Sequence, residues 1–292
     1  MQNLKGILFM ILAMAGFACE DLFIKILSES LPISEIIIIL GFGGSLIFLA
    51  IGLVTKAPIF HQDLLAIPII IRTLCELFGA LFFVLAIALT PLSSASAIIQ
   101  VMPLLVTIGA AVIYKERVGW RRWTAVFVGF LGVLLILRPG FGSFMPASIF
   151  ALLGAIFLAG RDLATRAIEI KLPSVTISLY AFLAFGVSGI LLIPFSSEMI
   201  IPSSHEIVYF VGASAFGVIA YYSIVIAART GEMSVIAPFR YSRLVFAMLL
   251  SIIVLSERPD MLTLIGATII VASGVYTFVR ENLLNKNKES VV

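Results

Sequence analysis

Charge is what this chain has least of. Asp, Glu, Lys and Arg together make up 12% of its 292 residues, about half of the roughly 25% typical of soluble domains. Hydrophobic residues make up 61% and the mean hydropathy is +1.18, a balance that excludes a soluble globular domain. The net charge of +3 is scattered between apolar runs and not gathered on one face, so no nucleic-acid surface is expected. His61 and His205 are the only histidines, and both fall in predicted loops on opposite sides of a membrane, so together they form no metal cluster. Cys19 and Cys75 lie inside apolar runs and read as small apolar side chains, not as a disulfide or a ligand pair. Gly-x-Ser-x-Gly, His-Glu-x-x-His and phosphate-loop patterns are missing. No enzyme chemistry, metal or cofactor is therefore expected.

What the chain has is long apolar runs. A spanning helix needs about 20 mostly apolar residues, and runs of that kind cover approximately 4–27, 33–55, 64–89, 92–114, 120–138, 147–168, 175–195, 206–228, 232–255 and 260–279. The expected fold is an all-α integral membrane protein of ten transmembrane helices, with short connections and a polar tail over 283–292 that is disordered or lies on the membrane surface. The amino end resembles a signal peptide in having Lys5 before an apolar stretch, but no small-residue cleavage site follows and the run continues into Glu20 and Asp21. It is read as a mature helix. With the amino terminus inside, twelve basic residues fall on the inner side, among them Lys115, Arg117, Arg121, Arg122, Arg166 and Lys171. Only Lys25, Arg138 and Arg258 fall outside, and that asymmetry places both termini in the cytoplasm.

Sliding the chain by 141 residues exposes a repeat: Phe17 to Lys25 lies over Leu158 to Arg166, matching Asp21 to Asp162, Leu22 to Leu163 and Lys25 to Arg166. Tyr114-Lys-Glu116-Arg117 lies over Leu255-Ser-Glu257-Arg258 at the same offset. Each half, 1–141 and 142–282, holds five predicted helices, so the second is inserted upside down. Inverted repeats are an architecture of secondary transporters, with the substrate site near the bilayer midplane.

At these residues the chain resembles a known family. The Glu116-Arg117 and Glu257-Arg258 pairs closing helices 4 and 9, with Gly129-Phe-Leu-Gly132 in helix 5, are similar to the EamA family of the drug/metabolite transporter superfamily. The resemblance implies ten helices, cytoplasmic termini in a bacterial inner membrane, and a central cavity lined by helices 1, 3, 4, 6, 8 and 9. Glu20-Asp21-Leu-Phe-Ile-Lys25 and Ala237-Pro-Phe-Arg-Tyr241 resemble metabolite importers, notably riboflavin carriers, and the second motif also resembles S-adenosylmethionine carriers.

Eight ionisable residues fall well inside predicted spans: the acids Glu20, Asp21, Glu76 and Asp162, and the arginines Arg72, Arg161, Arg240 and Arg243. Such groups face a bundle interior or watery cavity and mark pathways. Glu20 and Arg161 occupy equivalent repeat positions with opposite charge, and a pair between them is expected as a gate or a strut. Asp21 and Asp162 are expected either beside it in gating or ion coupling, or capping or hydrogen-bonding neighbouring helices. Arg72 and Glu76 share one helix face at i, i+4 and are candidates to pair. Arg240 and Arg243 share another, after Pro238, and a guanidinium there could hold a carboxylate or stack on a flat ring. Tyr221, Tyr222, Tyr241 and Gln100 complete the expected substrate contacts, while Ser93 to Ala97 reads as close helix packing. Prolines 91, 103 and 238 mark places where helices 4 and 9 could bend.

The resulting expectation is alternating-access transport of a small organic metabolite, riboflavin import first, with S-adenosylmethionine uptake or metabolite export as rivals. A non-transporting scaffold or a channel is the alternative of another class. The expected partners are the solute and the lipid bilayer; the oligomeric state is open, a homodimer among the options.

Overall fold

Lipid offers the backbone no hydrogen bonds, so long apolar runs must satisfy themselves as helices. The computed structural model describes residues 2–116, 118–138, 145–168, 172–230 and 236–289. Its α-helices are α1 (Gln2–Leu27), α2 (Ile33–Val54), α3 (Ile67–Leu89), α4 (Leu92–Ile99), α5 (Met102–Ile113), α6 (Trp120–Leu137), α7 (Ser148–Arg166), α8 (Ser174–Leu192), α9 (Ser204–Thr230), α10 (Ser242–Ile253) and α11 (Met261–Glu289). Short 3-10 turns occupy Gln62–Leu65, Ile193–Phe195 and Ala237–Tyr241. No strand occurs among the described residues. Among the described residues seven stretches are long and apolar enough to cross a bilayer, α4 and α5 counting as one, and Trp123–Leu137 and Met261–Thr277 are shorter apolar helices. Arg117, Lys171 and the side chains of Arg122 and Arg166 lie outside the described residues.

Three expectations need correction. The fourth run is not one continuous helix: it is interrupted between Ile99 and Met102, because Pro103 has no N–H to donate to the preceding turn. The polar tail is not irregular as far as it is described; α11 continues to Glu289, through residues that include neither Gly nor Pro to stop it. His205 belongs to the first turn of α9, not to a loop.

Packing follows the repeat. α1 lies along α9 and α3 along α7, while α2 meets α8, α6 meets α11 and α4 meets α10. The 141-residue shift turns α1 into α7 and α3 into α9, so the first two pairs exchange; the other three join a run to its own counterpart. Small residues let these backbones approach. A Cβ on Gly132 would stand 2.8 Å from the Gly266 carbonyl, and one on Gly41 only 2.2 Å from the Gly186 nitrogen.

The helix ends repeat as well. Lys115 and Ser256, 141 residues apart, both take a left-handed backbone, with φ of 53° and 54°. The next amide folds back onto the helix in each: Glu116 N–H donates to Ala110 O at 3.3 Å and Glu257 N–H to Ser251 O at 3.0 Å. That turn aims Glu257 at the start of α4, where its carboxylate accepts from Leu92 N (2.7 Å), Ser93 N (3.1 Å) and Ser93 Oγ (2.7 Å). A carboxylate at a helix N-terminus satisfies free amides and opposes the positive dipole end. At the same end Lys25 Nζ donates to the last carbonyls of α3, Ala88 (3.2 Å) and Thr90 (2.8 Å), and Arg138 pairs with Asp260. Glu257→Ala should lower stability by about 1–2 kcal/mol, the range for lost caps. Thermal melting in detergent would measure it, and an unchanged transition would show that this end is held by packing alone.

Candidate functional site

The charges inside the spans and their partners converge from six elements. α3 supplies Arg72 and Glu76, α7 supplies Arg161 and Asp162, α9 supplies Tyr221, and the Ala237–Tyr241 turn with α10 supplies Arg240 and Arg243 opposite Asp21 of α1. Each sits on a helix that is otherwise apolar, where an unpaired charge costs at least ~2.5–3.5 kcal/mol. Their arrangement is set by that cost.

Arg161 is the centre of the larger group. It donates through Nη1 to Glu76 Oε1 at 3.1 Å, and through Nε and Nη2 to Asp162 Oδ1 at 3.0 and 2.8 Å. Arg72 donates to the Tyr221 hydroxyl at 3.2 Å and lies 3.5 Å from Glu76 Oε2, so the expected i, i+4 pair is present but shared. Arg240 Nη1 reaches Asp162 Oδ2 only at 3.5 Å, and its side chain keeps 29% of its surface accessible. Three guanidinium groups thus face two carboxylates. The group carries one positive charge in excess, and Arg240 is its most loosely held cation.

The second group is tight. Asp21, with 4% of its side chain accessible, accepts from Arg243 Nε at 3.1 Å and from Nη2 at 2.8 Å on both oxygens. The Arg243 guanidinium also lies 5.1 Å from the ring centroids of Phe17 and of Phe83, which adds cation–π attraction. Glu20, beside Asp21, accepts no hydrogen bond and forms no ion pair among the described residues. Its carboxylate rests against Gly217 of α9, where an added Cβ would meet Oε1 at 2.6 Å.

Several sequence expectations are redirected by this geometry. The Glu20–Arg161 pair is not formed: α1 lies along α9 and α7 along α3, so Glu20 meets Gly217 and Arg161 meets Glu76. Asp21 and Asp162 do hydrogen-bond neighbouring elements, taking Arg243 and Arg240, and neither caps a helix among the described residues. Tyr222 is 56% exposed on the outside of the bundle, whereas Tyr221 one residue earlier points inward. The Tyr241 hydroxyl is buried against Gly274 of α11 and has no hydrogen-bond partner among the described residues. Gln100, at the interruption between α4 and α5, directs Nε2 at the Arg240 carbonyl at 3.5 Å, linking the two interrupted runs. Phe17, Phe83 and Tyr114, whose hydroxyl donates to Leu163 O at 2.7 Å, were not singled out by sequence reasoning. Nothing in an isolated apolar run marks an aromatic that will stand beside a charge.

The residue pattern of the EamA-like transporter family matches residues 4–138 and again 145–279, one copy for each half. The chain belongs to the EamA-like transporter family. Among its relatives, an S-adenosylmethionine uptake transporter of Rickettsia conorii is 26% identical over 98% of this chain and 97% of its own. A riboflavin transporter of Vibrio cholerae is 27% identical over 70% and 68%, and the pseudopaline exporter CntI of Pseudomonas aeruginosa is 27% identical over 92% and 94%. A crystal structure of 20% identity superposes with a TM-score of 0.64, covering 93% of this chain and 98% of that one, a likeness of fold. The protein is accordingly a multi-pass membrane transporter of small molecules.

Proposed function

We propose that the protein takes up S-adenosylmethionine or a closely similar amino-acid conjugate across a bacterial inner membrane. The proposal places ten spans, both termini in the cytoplasm, and two inverted halves that rock about the charged interior. The observation that carries it is the loosely held Arg240 in a group with one cation in excess. A guanidinium in that position receives a carboxylate with paired, charge-assisted hydrogen bonds, and the amino-acid end of S-adenosylmethionine has one. The relatives named as S-adenosylmethionine uptake transporters match nearly the whole chain, which moves the preferred solute away from riboflavin.

The test is uptake of labelled S-adenosylmethionine by vesicles containing wild-type protein or Arg240→Ala at matched membrane levels. Asp162 keeps Arg161 when Arg240 is removed, so the variant should fold normally while its uptake falls about tenfold or more, the loss expected for one charged hydrogen-bonded contact. Equal uptake by both would remove Arg240 from the pathway. Riboflavin import is the second reading, favoured by the Tyr221 ring fixed by Arg72, on which a flat ring could stack. It would replace the first if only riboflavin entered. Flux that does not saturate would point to a channel, and no flux of any solute to a scaffold.

A further inference from the structure

The neighbour of Asp21 is an acid to which Arg243 gives no hydrogen bond. Asp21 takes all three hydrogen bonds that Arg243 offers to this pair of acids, and Glu20 is left facing Gly217 with no hydrogen bond or ion pair among the described residues. A structural role would require a partner, because a half-buried acid among apolar helices gains nothing by standing alone. The position relative to the arginine group is defined by α9. Gly217, against which Glu20 lies, and Tyr221, which Arg72 holds, are four residues apart on one face of that helix, about 6 Å along its axis. On the opposite flank, Arg243 and Arg240 span a similar rise. These spacings set an acid at Glu20 and a loosely held cation at Arg240 at levels roughly one helical turn apart along the bundle. A solute with a positive and a negative group would neutralise both at once.

We propose that Glu20 is the cation subsite of the pathway, taking the positively charged sulfonium of the solute while Arg240 takes its carboxylate. The assignment rests on the S-adenosylmethionine reading above and adds the reason a cationic solute is selected. Glu20 contributes recognition of charge, not a gate: the pair with Arg161 that gating would use is absent, and Arg161 is fully engaged by Glu76 and Asp162.

Two solutes that differ in this charge decide the matter. S-adenosylmethionine has a sulfonium; S-adenosylhomocysteine is the same molecule with a neutral thioether. In proteoliposomes of the full chain, each is used to compete with uptake of labelled S-adenosylmethionine. Wild type should prefer the sulfonium by about tenfold or more, as a charge-assisted contact in a dry site implies. Glu20→Gln should weaken competition by S-adenosylmethionine about tenfold and leave S-adenosylhomocysteine unchanged, erasing the preference. Gly217→Ala retains the carboxylate but introduces a Cβ 2.6–3.1 Å from it. It should reduce the preference in the same direction, and it carries the test if Glu20→Gln does not insert. A preference that survives both variants overturns the assignment while leaving S-adenosylmethionine as the solute. Loss of the response to a proton gradient with the preference intact overturns it too and makes Glu20 a proton carrier. Wild-type vesicles that take up neither solute discard the S-adenosylmethionine reading and the subsite together.

Discussion

Arg243→Ala is expected to destabilise the protein by about 3–5 kcal/mol, the cost of stranding one member of a buried ion pair. Asp21 would be left with 4% of its side chain accessible and without the three hydrogen bonds it now accepts. The rings of Phe17 and Phe83 would lose the cation between them as well. The charge, not the lost contact, dominates the expected effect. Removing both partners, as in Asp21→Leu with Arg243→Met, should therefore recover most of the loss, since apolar replacements of a buried pair are often close to neutral. Melting of the detergent-purified single and double variants measures the coupling. If the double variant is as unstable as Arg243→Ala, the arginine acts through its packing against the aromatics and not through Asp21. The same logic predicts a mild effect for Arg240→Ala, whose carboxylate partner keeps a second arginine. A large stability loss is thus expected at one of two arginines only one turn apart.

Much of this architecture was legible because bilayers impose a simple rule on sequence. Apolar runs had to become helices, and the common offset linking Asp21 with Asp162 and Glu116 with Glu257 announced the repeat. The inventory of buried charges was legible for the same reason, since each stood out against an apolar run. Their pairing was not. The expected Glu20–Arg161 contact assumed that equivalent positions meet, but α1 lies along α9 and α7 along α3, so the residues sit on different sides of the relation that makes them equivalent. Tyr221 and Tyr222 look alike in sequence, yet consecutive residues on a helix point about 100° apart, and only Tyr221 reaches Arg72. The role of Glu257 was hidden by distance: the motif was visible, while the free amides it serves belong to Leu92 and Ser93 in the other half. Pro103 did announce a weak point, and the interruption at Gln100 is its outcome.

The contact between the two halves makes a demand of a different kind from the charges, one of space. Gly41→Ala adds one methyl group, whose carbon would stand 2.2 Å from Gly186 N, 2.4 Å from its Cα and 3.0 Å from the Phe182 carbonyl. All three are backbone atoms, so no rotamer change relieves the clash and α2 must move away from α8. Within a bilayer that movement is costly for a particular reason: water does not drive helices together there, and close van der Waals contact holds them. Separating two backbones loses attraction along the whole interface as well as at the glycine. We expect a loss of about 1–3 kcal/mol or more, as for overpacked cores, seen as reduced membrane level and a lower melting temperature. Gly43→Ala is the internal control, two residues along the same helix and chemically identical. Its added carbon would find only Ser214 Oγ, at 3.9 Å, and the variant should melt with wild type or slightly above it, because alanine loses less backbone freedom than glycine on forming a helix. Equal melting temperatures for the two alanine variants would mean that α2 and α8 do not meet at this distance. A loss confined to Gly41 would establish that the halves of the transporter are joined where two glycine-bearing helices, counterparts of one another, touch backbone to backbone.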